Sequence, residues 1–318
     1  MMPERREEQR MAELSICIVN YKVKNLLRDC LDSIYKASGA KPEIIVVDNN
    51  SEDGSVPMIR ERFPQVKLIE NRRNVGFAKA MNQALREATG SYVLLLNPDT
   101  LIVDDAVPKT LSFMERTRDA AIVGCRIVNA DGSLQLSCKN FPSLLDLFLK
   151  MSFLYRLFPQ HRFFGRPYMS YFNYDATREV DVVMGAFMMA RRDAIDDIGL
   201  FDERYYMYSE EVDWCWMAKQ KGWKVYFYPA AEIVHYGGQS TKLAAERMFV
   251  ELQKSECKFY GKHCRWEVAL SAKTLLFFGM LARAILWSAA CAVDPRKYGE
   301  RRRIYLSTLK WFLTGAKT

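Results

Sequence analysis

Up to Ser240 the chain alternates between apolar runs and polar segments. Leu14–Val19 is apolar and β-branched, stops at Asn20-Tyr21, and predicts a buried strand. Val23, Leu27, Cys30, Leu31 and Ile34 then recur at helical spacing, and Gly39 and Pro42 close that helix. Glu43–Val47 is the next strand, ending in Asp48-Asn49-Asn50-Ser51-Glu52-Asp53-Gly54. A strand, helix, strand succession predicts a parallel sheet with right-handed crossovers. Val66–Ile69 is a third, short strand, and Asn71–Phe77 is a polar loop. A helix follows from about Ala78 to Ala88, ending at Gly90. Then comes SYVLLLNPDT: Tyr92–Leu96 reads as a core strand, and Pro98 forbids further pairing. Asp99 is therefore expected just past the carboxyl end of a buried strand, the edge where open α/β sheets bind ligands. Asn, Pro and Asp are also ordinary turn residues, but Tyr21, Asp48 and Asp99 are all predicted at the same edge.

Asp104 is expected to cap a helix carrying Val107, Leu111 and Met114. Ala120–Val128 is a strand, and Asn129-Ala130-Asp131-Gly132 has hairpin-turn chemistry. A helix is expected from about Ser143 to Phe158, then a mobile aromatic-basic loop to Tyr174, which suits an acceptor or membrane contact or else a core-packing insertion. Asp181–Ala190 predicts a central strand broken by Gly185, a residue that in a strand often marks close approach by ligand or backbone. Ser209 is an expected N-cap, with Glu210, Glu211 and Asp213 in the first turn of the next helix, where acids also favour the helix dipole. Val212, Cys215 and Trp216 are expected to face inward, and Glu211 to point into a cleft. Two strands are expected around Pro229, the second ending at His235.

The tail has a different texture. Lys242–Tyr260 reads as a helix, and Leu270–Val293 is strongly apolar but carries Lys273 and Arg283. Those two charges argue against a simple span, and the flanking basic residues favour a helix lying on a membrane surface over one packed in a core. The chain has 318 residues and a net charge of +8, with basic clusters at Arg296-Lys297 and Arg301-Arg302-Arg303. Those clusters form no organised aromatic-basic surface, so a nucleic-acid partner is not expected. The eight cysteines include no CxxC pair, and Cys257, His263 and Cys264 lack a zinc pattern. Reduced thiols in a cytosolic setting are expected. Met1–Glu13 is charged without an apolar core, so no signal peptide is read and residues 1–13 are expected to be a flexible arm.

The ordered set SICIVNYK, VVDNNSEDGS, NRRNVGFAKAMNQA, LLLNPDT, VMGAFMMARRDA, GLFDERYYMYSEEVDWCW and GWKVYFYPAAEIVHYGGQS resembles glycosyltransferase family 2, most closely the rhamnosyltransferase-like members that build bacterial surface polysaccharides. Each motif alone is weak; seven in order, from about Leu14 to Ser240, are a strong signal. The resemblance implies an α/β chain of the GT-A fold, a mostly parallel central sheet flanked by helices, with a nucleotide-sugar half (about 14–128), an acceptor half (about 129–240) and a helical, basic, membrane-associating region (241–318). It implies inverting transfer of a sugar, L-rhamnose from dTDP-rhamnose as the best match, to a lipid-linked or polysaccharide acceptor. A UDP-hexose-dependent transferase and a non-catalytic nucleotide-sugar-binding scaffold are the alternatives. A nucleotidyltransferase would need a glycine-rich loop after the first strand, and Asn20-Tyr21-Lys22-Val23-Lys24 has none.

Residue by residue, the resemblance implies that Tyr21 contacts the base, that Asp48 reads a pyrimidine imide, and that Asn74, Gly76, Asn97 and Gly185 line the donor site. Asp99 matches the second acid of the metal motif, whose first acid is here Asn97. Glu211 matches the catalytic base, usually Asp, with Glu210 and Asp213 as secondary candidates. His235 matches a histidine that joins Asp99 on Mg2+ or Mn2+. Met217 stands where relatives often carry Arg. The implied location is the cytoplasmic face of a bacterial inner membrane.

Overall fold

The computed structural model describes residues 13–37, 42–239 and 244–315. The expected arm before Glu13, the helix-closing Gly39, Ser240 and the helix start at Lys242 lie outside them. In chain order the elements are β1 (Leu14–Asn20), α1 (Lys24–Ala37), β2 (Glu43–Asp48), α2 (Ser55–Arg62), β3 (Lys67–Glu70), α3 (Phe77–Glu87) and β4 (Tyr92–Leu96). Then come β5 (Thr100–Ile102), α4 (Ala106–Arg116), β6 (Ala120–Val128), β7 (Leu134–Gln135), β8 (Cys138–Lys139), α5 (Leu144–Met151) and α6 (Leu154–Leu157). After a 3-10 turn at Arg166–Tyr168 follow β9 (Arg178–Glu179), β10 (Val182–Val183), β11 (Phe187–Arg191), α7 (Arg192–Ile198), α8 (Glu210–Gln220) and β12 (Lys224–His235). Three long helices close the chain: α9 (Ala245–His263), α10 (Trp266–Val293) and α11 (Pro295–Thr314).

The chain divides into two compact units. The first comprises Met1–Phe141, Phe172–Tyr206 and Glu210–Ser240. Its main sheet runs β3-β2-β1-β4-β11-β6-β12-β5, with β7 on β6 and β9 on β12. Strands β3, β2, β1 and β4 are parallel, as are β6 and β12; β11 lies antiparallel between β4 and β6. All residues of β1 and β4 are buried, which explains their unbroken apolar sequences: helices cover both faces of a parallel sheet. Helix α1 buries the predicted stripe Leu27, Cys30, Leu31 and Ile34.

Several expectations are corrected. Helix α2 was not foreseen: SVPMIRER has Pro at its third position and buries only Met58 and Ile59 among its apolar residues, too few for a stripe. Asp104 does not cap α4; Asp105 holds the cap position without a side-chain hydrogen bond, and Asp104 adopts φ +46°. The strand expected over Asp181–Ala190 is two strands in two sheets. Val182–Val183 pairs with β8, and only Phe187–Arg191 enters the main sheet. Conversely, Pro229 does not separate two strands: β12 is continuous, and its register against β6 shifts between Tyr228 and Glu232. A bulge tolerates the missing N–H of proline. Ser209 precedes α8 with φ +65°, in the left-handed region rather than the extended backbone of an N-cap. In α8 the buried residues are Glu210, Val212, Asp213, Trp214, Cys215 and Ala218, while Trp216 is half-buried. Trp214 is the side chain turned inward, and its indole N–H donates to Gly199 O at 2.8 Å.

The second unit comprises Pro142–Tyr171, Met207–Ser209 and Thr241–Thr318. The single helix expected over Ser143–Phe158 is broken: Ser143 caps α5 by accepting from Asp146 N, and Phe153 at φ +60° separates it from α6. Of the two charges in α10, Lys273 is exposed but Arg283 is buried. Its guanidinium donates to Lys150 O and Gly279 O, both at 3.0 Å, and lies 4.2 Å from the centre of the Phe153 ring. Arg283 therefore belongs to the packing of this unit. Helix α10 is nonetheless long and apolar enough to cross a membrane by length and composition, with 28% of its most apolar stretch buried.

In the first unit, buried Asn82 on α3 joins the segment that leads toward α8. Its Nδ2 donates to Phe201 O at 2.8 Å, and its Oδ1 accepts from Phe201 N at 2.9 Å. Asn82→Ala strands both backbone groups, and the expected cost is about 2–4 kcal/mol; urea unfolding curves measure it.

Candidate active site

At the carboxyl edge of the sheet, Asn20 and Asp48 are register partners on β1 and β2. Asp48 is only 3% exposed. Its Oδ1 accepts from Asn20 Nδ2 at 2.8 Å and its Oδ2 from Ser51 N at 3.0 Å. Each carboxylate oxygen keeps a lone pair, but protein contacts fix its position first. Tyr21 is half-buried at the head of the same edge, and the Lys22 ammonium stands 5.5 Å from its ring centre.

The polar loop 71–76 is held by Asn49, which the sequence reading passed over. Asn49 Oδ1 accepts from Asn71 Nδ2 (3.2 Å) and Val75 N (3.0 Å), and its Nδ2 donates to Asn74 Oδ1 (2.9 Å) and Gly76 O (3.3 Å). Asn74 Oδ1 also accepts from Gly76 N. Asn74 thus serves the loop's own shape. Gly76 has φ +89°, and a Cβ there would sit 2.6 Å from Tyr206 O. With no side chain, the loop closes against Tyr206, whose carbonyl accepts from Phe77 N at 2.7 Å.

Beyond β4, Asn97 N donates to Ala186 O, so Asn97-Pro98-Asp99 lies beside Gly185-Ala186. Asp99 O accepts from Tyr236 N, and His235 is the register partner of Thr100. These backbone links bring His235 Nε2 to 3.3 Å from Asp99 Oδ1, both side chains nearly fully buried. Nε2 has no hydrogen-bond partner. A buried nitrogen without a partner, facing a carboxylate, fits a pair of donors to one hard cation. Two donors on neighbouring positions of a cation at ~2.1 Å stand ~3 Å apart. Among the described residues no three His, Cys, Asp and Glu side chains converge. A cation held here would therefore take its other positions from water and phosphate oxygens, as magnesium commonly does. Two inter-strand spacings, roughly 10 Å, separate the Asp48 strand from the Asp99 strand. That span suits a nucleoside at one end and its diphosphate at the other.

The three acids of α8 have different surroundings. Glu211 is 14% exposed at its side chain and lies 3.7 Å from Lys139 Nζ. A Cβ added at Gly185 would meet only Glu211 Cβ, at 3.9 Å. Protein packing therefore does not require glycine at 185; its absent side chain leaves room beside Glu211. Glu210 is buried, with Oε2 unpartnered. Burial first, and the Glu211 charge second, push its carboxyl well above the ordinary range, against a smaller pull from Lys139. Asp213 is buried too, and Tyr205 Oη lies 3.4 Å from it. Burial, and then the Asp213 charge, raise the Tyr205 hydroxyl. Only Glu211 of the three presents a carboxylate that a ligand can reach.

The structure thus gathers Asn97, Asp99, Gly185 and His235 at one part of the edge, with Glu211 beside Gly185. Tyr21, Asp48, Asn74 and Gly76 stand at the β1–β2 end. Sequence reasoning missed Asn20, Asn49, Gln135, Lys139 and Tyr206. Asn20 was detectable, since it directly ends an apolar run, and Asn49 sits next to the strand-end Asp48; nothing local distinguishes Gln135 or Lys139.

The family model for glycosyl transferase family 2 matches residues 15–199. An N-acetylglucosaminyl-diphospho-decaprenol L-rhamnosyltransferase of Mycobacterium tuberculosis (strain ATCC 25618 / H37Rv) is 28% identical over 243 residues, covering 72% of this chain and 77% of that protein. Rhamnosyltransferase WbbL of Escherichia coli (strain K12) is 24% identical over 259 residues, covering 78% of this chain and 92% of its own. Among solved structures, the mannosyltransferase PcManGT from Pyrobaculum calidifontis, in complex with GDP-Man and Mn2+, superposes with a TM-score of 0.56 at 17% identity, covering 95% of this chain and 87% of that one. That likeness concerns the fold, which is GT-A-like.

The Glu210 environment has a measurable consequence. The folded protein keeps this proton above the ordinary value of 4.5 at which the unfolded chain releases it. Its contribution to stability is therefore complete below about pH 4.5 and lost as pH rises toward the raised folded value. Glu210→Gln removes that loss. Its Tm is expected to exceed that of the wild type by roughly 1–2 °C at pH 8, the shift for about 1 kcal/mol in a chain of this size, and the gain to shrink toward pH 5.

Proposed function

The chain belongs to glycosyl transferase family 2, and from that membership we propose that it is an inverting, cation-dependent transferase moving L-rhamnose from dTDP-rhamnose to a hydroxyl of a lipid-linked or polysaccharide acceptor in cell-surface glycan synthesis. The observation that carries this reading is the pairing of unpartnered His235 Nε2 with Asp99 at 3.3 Å on the sheet edge that also holds Gly185, with Glu211 the accessible carboxylate beside it. The names of the two rhamnosyltransferase relatives support the sugar.

Asp99 and His235 would hold Mg2+ or Mn2+ at the donor site. A divalent cation there offsets the negative charge that grows on the leaving group. Asp48 and Tyr21 receive the base, and the locked loop 71–76 borders the donor. Glu211 accepts the proton of the acceptor hydroxyl as its oxygen bonds to the anomeric carbon. The bond from that carbon to the diphosphate oxygen breaks on the opposite face, and the nucleoside diphosphate departs with that electron pair. A single displacement with one base inverts the centre. The Lys139 ammonium, 3.7 Å from the Glu211 carboxylate, borders it on the protein side.

The helical unit suits the surface of a membrane. Its segments carry 19 Lys and Arg against 7 Asp and Glu. Leu270, Phe278, Ile285 and Val293 recur on the exposed face of α10. An apolar stripe with basic surroundings suits in-plane binding to anionic bilayers, which supports a peripheral position on a cytoplasmic membrane face.

Binding of a panel of nucleotide sugars, with Mn2+ or Mg2+ and then with chelator, tests the donor. Selective, cation-dependent binding of dTDP-rhamnose is expected. Preference for a UDP-hexose overturns the sugar, donor binding without turnover favours the scaffold, and no binding of any nucleotide sugar overturns the transferase reading. Asp99→Ala is expected to abolish cation-dependent donor binding. Glu211→Gln is expected to keep donor binding while kcat falls about 10²–10⁴-fold; near-normal transfer by that variant would remove Glu211 as the base.

A further inference from the structure

Gln135, at the end of β7, lies on the far side of the His235 ring from Asp99. Its Nε2 stands 2.6 Å from Asn129 Oδ1 and 3.1 Å from His235 O, both acceptors. Asn129 cannot turn to offer its amide instead, because its Nδ2 donates to Ser133 Oγ at 2.9 Å and to Ser133 O at 3.3 Å. That turn is closed by its backbone, with Asn129 N donating to Ser133 O and Gly132 at φ +80°. The Gln135 amide therefore has one orientation, with Oε1 toward the ring, 2.8 Å from His235 Nδ1. A carbonyl oxygen only accepts, so Nδ1 must carry the ring hydrogen.

In neutral histidine the other nitrogen then bears a lone pair. That nitrogen is Nε2, facing Asp99 Oδ1 at 3.3 Å without a hydrogen bond. Left to itself, a carboxylate at this distance would draw the hydrogen to Nε2, and the nitrogen would be lost as a donor to a cation. We infer that Gln135 is a positioning residue that selects the Nδ1–H tautomer of His235 against the pull of Asp99, keeping Nε2 open for a divalent cation. Residues orienting a ligating histidine through its second nitrogen affect metal affinity in this way. The cation part rests on the function proposed above; the tautomer part does not.

The chain has three histidines, His161, His235 and His263, so ring tautomers are resolvable by long-range proton–nitrogen NMR on histidine-labelled full-length protein at pH 8 with chelator. Wild type is expected to show Nδ1–H at His235. Gln135→Met, similar in length but without the acceptor, is expected to switch it to Nε2–H, whereas Gln135→Glu, which keeps an acceptor oxygen, retains Nδ1–H. Binding of Mn2+ in the presence of dTDP, read by water-proton relaxation, is expected to weaken 10–100-fold in Gln135→Met and much less in Gln135→Glu. Nε2–H in the wild type overturns the inference with no variant needed. An unchanged tautomer in Gln135→Met, or a switch in both variants, overturns the assignment to Gln135. A switched tautomer with unchanged Mn2+ affinity overturns His235 as a ligand, and with it the cation part of the proposed function alone.

Discussion

Two-sided burial of β4 is the constraint on which the site depends. It pairs with β1 on one side and antiparallel β11 on the other, and with both sheet faces covered all of Tyr92–Leu96 is buried and apolar. The chain must therefore become polar where the sheet ends, and it does so at Asn97-Pro98-Asp99. Because β11 runs the opposite way, its amino end arrives at the same edge and brings Gly185 and Ala186 beside Asn97. Because β12 meets β5 there, His235 arrives opposite Asp99. Three strands with two directions converge on one place, and no loop has to reach for it.

A second device keeps the edge in shape. Asn49 makes four side-chain hydrogen bonds to the loop that follows β3, and Gly76 lets that loop touch the backbone of Tyr206. The loop order is thus built from amide–amide and amide–backbone bonds, which resist pH and salt better than surface ion pairs. The acids of α8 follow a similar economy. One is reachable, and two are turned into the unit: burial raises the Glu210 carboxyl, and Asp213 lies against the Tyr205 hydroxyl.

The basic, apolar character of the C-terminal helices belongs to a different physical task. The first unit's sequence has slightly more acids than bases, and the whole positive surplus lies in the second. Within that second unit, a buried Arg283 that satisfies the α5 carbonyl of Lys150 shows that an arginine in an apolar helix can be a packing group. The apolar run of α10 cannot be judged by counting charges alone.

The sequence by itself determined β1 to β4, β6, most of the long helices and the edge residues, because period and abrupt polar endings are local properties, whereas the two- and three-residue strands β5, β7, β8 and β9 carry too little pattern to be read. Leu14–Asn20, Tyr92–Leu96 and the α1 stripe were legible for that reason, and so were Asp48, Asp99 and His235 as strand-end residues. The short α2 was not, since eight residues with a proline carry too little pattern. Only the tertiary structure decided the division of 181–190 between two sheets and the continuity of β12 across Pro229, because the partner strand, not the residue, sets pairing. It alone showed that Glu210 and Asp213 are buried beside Glu211, the residue the resemblance singled out, since three acids in one helical turn look alike until the neighbours that bury two of them are present. It alone joined Gln135 to His235, a contact between residues 100 positions apart that no local spacing encodes.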